Sequence, residues 1–568
     1  MNIDQLCKKY FPILLIVFTF SFAVVNFTIP EYGVYSSMTE SILEDGDLNI
    51  ADELFYPEQK FLLTESKNYP HHHSSGAVAG WIPFALYSKV VSNLSGLTDE
   101  ELQYEDHLKG FKKPFNFRRD GSKFFWHMSL VFGNILLTAF GIFLLFKNKS
   151  IFKSQNSYRD FCIFILSTPL IYYMTLEPGA SNNMSLIFTA LLLTYIEKDL
   201  TKKDLVLIGL IWGLSFSVRI GNFFYFPIIL YILRNNLKLK SLSIAAISTL
   251  VGILPHFINE KIRFGEMVVG YSNIFYFNPI LIWETMFSPY KGIFIFSPIL
   301  FVAILVGLFE VIREKKFTLK LAIILSIGLK VFFFGSTYSH GGGVFGARQF
   351  IQDLPFFFIL FSSLGNTKIR NYLLLIGFTV STYIYIFYIN QGLFLPHDML
   401  FSNYFSLWSS SINNNIEYSA YPLLKLVNFS IPLIILVFLG RKIKNDLFVI
   451  FFAVSLYSIT FINFKNNDLN TKKLTKSGYY KNTFTANTLD MALAYENIGS
   501  MQERFLFLHH RHREKEAKEA LRVRKDYVKS IIQNSSLKNE QDLLRYIPEL
   551  SSERHHGEFL KVSKRYEY

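Results

Sequence analysis

The sequence predicts an all-α polytopic membrane protein of about thirteen transmembrane helices, with a large first outer loop and a small helical outer C-terminal tail. Three observations predict it. Hydrophobic residues make up 51% of the chain and charged residues only 18%, against about 25% charged in an ordinary soluble protein. The apolar residues fall in repeated runs of membrane-spanning length, not in the short alternation of soluble cores. The basic residues gather in short clusters between those runs. A soluble globular enzyme, a collagen-like chain and a disordered chain are thereby excluded.

The first apolar run, 11–29, follows Lys8 and Lys9. It is long and no small-residue cleavage site follows it, so it reads as an uncleaved first helix. Further spans are expected at 124–146, 160–176, 182–197, 204–219, 221–233, 241–258, 293–310, 319–337, 350–365, 372–390, 426–440 and 447–464. The stretch Ala77–Val91, with Trp81 and Pro83, is too short and broken for a span and suits a helix lying in the membrane interface. The chain thus divides into a transmembrane region, 1–464, with an outer loop at 30–123, and a polar region, 465–568, with a helical stretch around Glu514 to Ile532. No internal repeat is visible. Nor are the paired, broken half-helices that many transporters carry in their two halves.

Charge fixes the orientation. Lys147, Lys149 and Lys153, then Lys198, Lys202 and Lys203, then Arg234, Lys238 and Lys240 mark alternate connections. Arg313, Lys315 and Lys316, then Lys368 and Arg370, then Arg441, Lys442 and Lys444 continue the alternation, whereas 177–182 and 391–424 contain no Lys or Arg. The positive-inside rule makes the basic set cytoplasmic, with the N-terminus inside and the C-terminus outside. The net charge of +13 is spent on this asymmetry, and no nucleic-acid partner is expected. The two cysteines, Cys7 and Cys162, cannot build a disulfide framework. They read as plain buried or interfacial residues, and leave the redox compartment open.

Several residues could carry chemistry. Glu31 follows the first span immediately after Pro30, where it reads either as a general base in a partly desolvated cleft or as an interfacial helix-capping acid. Most other acids of the outer loop belong to a solvated face. His71, His72 and His73 are adjacent, which is poor geometry for one ion, and no Cys or His-x-Glu spacing supports a metal site; a hydrogen-bonding role toward a sugar or phosphate suits His72 and His73 better. Ser288–Gly292, with Lys291, and Ser339–Arg348, with His340, each lead into a span. Glycines there admit a ligand close to the backbone, and Arg348 can grip a phosphate in bidentate fashion or snorkel to the interface. Arg219 lies at the outer end of a span. Lys330 lies inside one, where an ionisable group is costly and suggests a functional cavity.

The order of these features resembles the GT-C superfamily of polytopic glycosyltransferases, with the protein mannosyltransferases and the bacterial aminoarabinose transferase of lipid A as the nearest branches. The segments that carry the resemblance are Glu31-Tyr-Gly-Val-Tyr, Ser41–Leu48, His73–Gly76 through Phe84, Gly213–Arg219, Asn259–Gly265, Ser288–Gly292 and Gly342–Arg348. They span roughly 11–390 as scattered short motifs. The resemblance implies transfer of a sugar from an isoprenoid-phosphate carrier to a glycan, lipid or protein acceptor on the outer face. It implies Glu31 as base, Arg348 and Lys291 on the leaving phosphate with Arg219 or Lys330 assisting, and His72, His73 and His340 orienting sugar or phosphate. A phosphate leaves readily, so no second carboxyl acid is needed, unlike glycoside hydrolysis. Some branches require a divalent metal and others none. The family usually carries Asp, often Asp-Glu, where this chain has Pro30-Glu31, so Glu40 or a loop aspartate stand in reserve as the base.

Two other functions are compatible with the sequence: a flippase or transporter for a lipid-linked substrate, and an O-antigen polymerase or ligase. A flippase predicts charge in mid-membrane, whereas most ionisable candidates sit at the outer rim, Lys330 excepted. A polymerase or ligase commonly has its large loop late in the chain, and here the loop is early. A bacterial plasma membrane is the expected location, because no retention signal is present at Arg565–Tyr568.

Overall fold

The computed structural model describes residues 3–22, 30–50, 74–95, 124–148, 151–152, 158–175, 178–264, 279–288, 292–314, 317–336, 348–365 and 367–391, with isolated positions in 518–529 and at 563. Among them there are helices and no strand. In order these are α1 (Ile3–Phe22), α2 (Pro30–Glu44), α3 (Gly76–Ser95), α4 (Phe124–Lys147), α5 (Tyr158–Leu166), α6 (Leu170–Thr175), α7 (Ser181–Leu193) and α8 (Lys202–Val218). A 3₁₀ turn (Ile220–Tyr225) then leads into α9 (Phe226–Leu233), followed by α10 (Leu239–Phe264), α11 (Pro279–Phe287), α12 (Ile293–Phe296), α13 (Pro298–Glu314) and α14 (Leu319–Gly335). A second 3₁₀ turn (Arg348–Asp353) leads into α15 (Leu354–Ser362), and α16 (Thr367–Gln391) follows. The expected spans at 426–440 and 447–464 and most of the tail lie outside the described residues. The tail positions that are described are helical, with Leu521, Arg524 and Val528 buried on one face and Arg522 paired to Asp526 at 3.9 Å on the other.

Among the described residues, two stretches are long and apolar enough to cross a membrane, by length and composition: Ser129–Lys147 in α4 and Leu239–Ile262 in α10. Several other expected spans are interrupted. α5 and α6 are separated by Ser167, Thr168 and Pro169; Ser297 separates α12 from α13, which opens at Pro298; and Pro227 and Pro355 sit in the first turns of α9 and α15, each entered from a 3₁₀ turn. Proline lacks the N–H that would continue the preceding helix, and suits a first turn. Interrupted helices are therefore present among the described residues, although the sequence shows no paired half-helices in its two halves. Ala77–Val91 departs the other way. It belongs to one continuous helix, α3, which runs through Pro83 and buries Ala77, Val78, Trp81 and Ala85.

Pro30 opens α2 instead of merely closing the helix before it. The turn after α2 contains Gly46, whose φ of +74° suits a residue without Cβ. Its N–H reaches back to the Ser41 carbonyl at 2.9 Å, and Asp47 accepts from Ser41 Oγ at 2.7 Å. Trp126 Nε1 donates to Ser36 Oγ at 3.0 Å and Lys89 meets Glu44 at 3.4 Å, so α2 is held by both α3 and α4.

The core is aromatic. Phe146, Phe152, Tyr158, Phe161, Phe164, Phe358 and Phe361 interlock, with Phe161 edge-on to Phe358 at 4.9 Å. Such pairs contribute about 0.5–1.5 kcal/mol each beyond area burial, and here they join α4, α5 and α15. Beside them Asp160, fully buried, receives Arg159 at 2.7 Å and Arg370 at 3.0 Å, while Asp4 accepts from the Arg159 N–H at 3.0 Å. Two carboxylates, Asp4 and Asp160, thus tie together the first turns of α1, α5 and α16. At the start of α8, Thr201 and Asp204 form a reciprocal capping box, and Lys198 donates to Asp204 at 2.6 Å. That bond holds the Lys198 ammonium above its ordinary range.

α8 and α10 cross with almost no side chain between them. A Cβ at Gly213 would run into the Thr249 carbonyl, and one at Gly252 would lie 2.8 Å from the Leu210 carbonyl. Ser217 Oγ donates to the Gly252 carbonyl at 2.9 Å. The opposite face of α10 is apolar and exposed: Ile247 (62%), Leu250 (64%), Val251, Leu254, Ile258 and Ile262. Small residues inward and large apolar residues outward is the arrangement of a helix that faces lipid. Gly213→Val is expected to destabilise the folded protein by about 1–3 kcal/mol through overpacking. Gly328→Ala, where a Cβ meets nothing within 4 Å, should instead stabilise α14 by up to about 1 kcal/mol. Unfolding of the two variants in detergent measures both, and equal effects would refute the close crossing.

Candidate functional site

The N-terminal turn of α7 reads Ser181-Asn182-Asn183, and all three side chains are fully buried. A buried polar group is costly unless hydrogen-bonded, and here each reaches another element. Ser181 Oγ accepts from the Tyr35 hydroxyl of α2 at 3.2 Å and from Arg219 Nη1, at the end of α8, also at 3.2 Å. Asn182 Nδ2 donates to the Arg348 carbonyl and to Gln352 Oε1 at 3.3 Å. Asn183 Nδ2 donates to the Tyr173 carbonyl of α6. Two adjacent residues of α7 therefore hold the segments that carry both Arg219 and Arg348.

The network continues inward. Gln352 Nε2 donates to Asn222 Oδ1 at 3.2 Å and to the Gln349 carbonyl at 2.7 Å. Asn222 Nδ2 donates to the Ser215 carbonyl at 2.9 Å and to Ser185 Oγ at 3.3 Å. With its amide fixed in that sense, Asn222 Oδ1 also faces Lys330 Nζ at 3.4 Å. Lys330, with no exposure, sits 2.7 and 2.9 Å from the two oxygens of Asp353 and 4.1 Å from the centroid of the Tyr225 ring. The Tyr225 hydroxyl in turn meets Thr189 Oγ1 at 3.1 Å. A buried ion pair survives desolvation only when its remaining hydrogen-bonding capacity is met, and Asn222 helps meet it here.

Of the residues singled out from sequence, Arg219, Arg348 and Lys330 come together in this network. Lys330 differs from expectation in having an anionic partner within bonding distance, so its charge is already balanced. Arg219 and Arg348 are half-buried, and they add two cations at the same helix end. Glu31 lies in the first turn of α2, one turn before Tyr35. A carboxylate at a helix N-terminus is favoured by the helix dipole, so the capping reading retains a physical basis beside the catalytic one. Lys291, His72, His73 and His340 lie outside the described residues. Glu40, the reserve base, lies on α2.

Ser181, Asn182, Asn222, Gln352 and Asp353 were not singled out from sequence. Asp353 carried a usable signal: it is a carboxylate inside the expected span 350–365, as anomalous there as Lys330 is in its own span. The amides and the serine carried none, because their role depends on meeting one another. Among the described residues no group of three His, Cys, Asp or Glu side chains is placed to hold a metal ion.

Fold and site together define an all-α protein with helices able to cross a membrane and a buried charged network at one set of helix ends. Comparisons with protein-family models, with curated proteins and with solved structures gave no match.

Proposed function

We propose that the chain is a multi-pass membrane glycosyltransferase of the GT-C type, with about thirteen spans. In this reading it moves a sugar from an isoprenoid-phosphate carrier to an envelope acceptor on the outer face of a bacterial plasma membrane. The observation that carries the reading is the convergence of Arg219 and Arg348 on Ser181 and Asn182, with α2, the helix that bears Glu31, bound to the same Ser181 through Tyr35. A displaced phosphate needs preorganised cations, and a hydroxyl or amine nucleophile needs a base held nearby. The supporting topology is consistent. Asp4, Arg159, Asp160 and Arg370, all beside the basic connections, gather at one set of helix ends, and Ser181 and Asn182 of the Arg219–Arg348 network lie at the end of the connection 177–182, which contains no Lys or Arg.

In this mechanism Glu31 accepts the proton of the attacking group as it bonds to the anomeric carbon. Arg348 neutralises the charge that develops on the phosphate oxygen, and Arg219 assists from across Ser181. Lys330 serves as a positioning residue: through Asp353 it holds the turn that carries Arg348. Lys291 and the three histidines keep their proposed roles toward phosphate and sugar.

The test is sugar transfer by the full-length protein in proteoliposomes, given a panel of isoprenoid-phosphate sugars and envelope acceptors. Wild type should transfer and Glu31→Gln should not, while both retain the same unfolding temperature. Transfer by both moves the base to Glu40 or a loop aspartate.

One observation favours a second reading, a lipid-linked-substrate flippase. The Lys330–Asp353 pair is buried between helices, and several helices are interrupted, as in transporters that bind substrate at helix breaks. Movement of labelled lipid across the bilayer without donor consumption, in the same vesicles, would establish that reading and end the first.

A further inference from the structure

The chain contains two cysteines, Cys7 and Cys162. α2, α3 and α4 separate them in sequence, yet the fold sets α1 beside α5, so that Cys7 packs against the core cluster to which Cys162 belongs and each thiol bears on the other's ionisation. The register has a visible cause. Asp4 Oδ1 accepts from the Arg159 N–H at 3.0 Å, which pins the first turn of α1 to the first turn of α5. One turn further along each helix stand Cys7 and Cys162. Lys8 lies over the Tyr158 ring, 4.7 Å from its centroid, and closes the same seam. Cys162 is 4% exposed and belongs to the main core, while Cys7 is half-buried and packs against that core.

A core residue touches about 6–12 others, so two particular residues of a chain this long meet by chance roughly one time in fifty to a hundred. A shared metal does not explain the meeting: a structural zinc takes four ligands, and no group of three metal-ligating side chains is found among the described residues. What two adjoining thiols can do without further ligands is form a covalent bond.

We infer that Cys7 and Cys162 are a disulfide-forming pair, converted by a peroxide-class oxidant into a bond that locks α1 to α5. Cys7, the more exposed, reacts first. Its sulfur takes one oxygen from hydrogen peroxide, giving a sulfenic acid and one water. The Cys162 sulfur then displaces the hydroxyl, the S–S bond forms, and a second water leaves with the remaining thiol proton. The two electrons lost by the sulfurs reduce the peroxide. Burial holds the Cys7 thiol above its ordinary range, so little thiolate is present at neutral pH and the first step is slow. The pair therefore stays reduced in a glutathione-rich compartment and closes only under sustained oxidant. The bond would fix α1, the helix that precedes α2 in the chain, and it depends on no assignment of activity.

The experiment uses the full-length wild-type protein in isolated membranes, incubated with hydrogen peroxide, then denatured and labelled with a maleimide of high mass. Two labelled thiols per chain are expected before oxidation and none after, with the protein still migrating as a monomer and dithiothreitol restoring both. Peptide mass spectrometry should find the Cys7 and Cys162 peptides joined and lighter by two hydrogens. Persistence of both labelled thiols, a Cys7-linked dimer, or oxidation of Cys7 to sulfinic acid with Cys162 still free would each overturn the inference.

Discussion

Replacing Lys330 with methionine is expected to destabilise the folded protein by about 3–5 kcal/mol, the typical cost of removing one partner from a buried ion pair. The mechanism is specific. Asp353, 1% exposed, would keep a carboxylate whose cation stood 2.7 Å away, and nothing else in the described network carries a charge that close to it. Asp353→Leu alone should cost a similar amount by leaving the ammonium stranded against Tyr225. The double variant Lys330→Met with Asp353→Leu removes both charges and should recover most of the loss, because desolvation of the pair offsets much of its attraction. Urea or thermal unfolding of the three variants in detergent measures the cycle. Additive losses would show that the two groups do not depend on each other in the folded protein.

The second large effect is on transfer. In the glycosyltransferase reading Arg348→Ala lowers the rate about 10²–10³-fold, the range for loss of one preorganised charge-stabilising donor. Arg348→Lys keeps the charge and loses the planar fork, so it should fall between wild type and alanine. The backbone carbonyl of Arg348, not its side chain, receives Asn182, so neither substitution removes that anchor. Rates measured with saturating donor and acceptor separate this from weakened binding. An unchanged rate with Arg348→Ala removes it from the phosphate role. Arg219→Ala should also cost stability, because its guanidinium is engaged with Ser181.

The all-α character was legible in the sequence, and for a physical reason. A backbone in an apolar environment must satisfy its own hydrogen bonds, and long apolar runs can do so only as helices. The helix positions follow for the same reason: α4, α8, α10, α13, α14 and α16 each overlap an expected span. The interruptions were harder to see. Pro169, Pro227, Pro298 and Pro355 were visible as residues, but whether a proline breaks a helix, opens one, or is carried through depends on what packs beside it. Pro83 is carried through in α3.

The basic members of the site were legible one at a time, because an Arg or Lys beside or within an apolar run is anomalous without any knowledge of the fold. Asp353 falls under the same rule, as a carboxylate within the apolar run 350–365. Ser181, Asn182, Asn222 and Gln352 could not be read at all: polar uncharged residues are common, and only a partner makes one informative.

By itself the sequence determined the helical class, the alternation of basic and non-basic connections, and the identities of the cations at the helix ends. These rest on local composition, which solvent and membrane act upon directly. The tertiary structure alone decided which side chains meet. It paired Lys330 with Asp353, gathered Arg219 and Arg348 on one turn of α7, and set Cys7 against Cys162. Each of those contacts joins residues far apart in the chain, and its energy exists only after helix packing has brought both partners out of water.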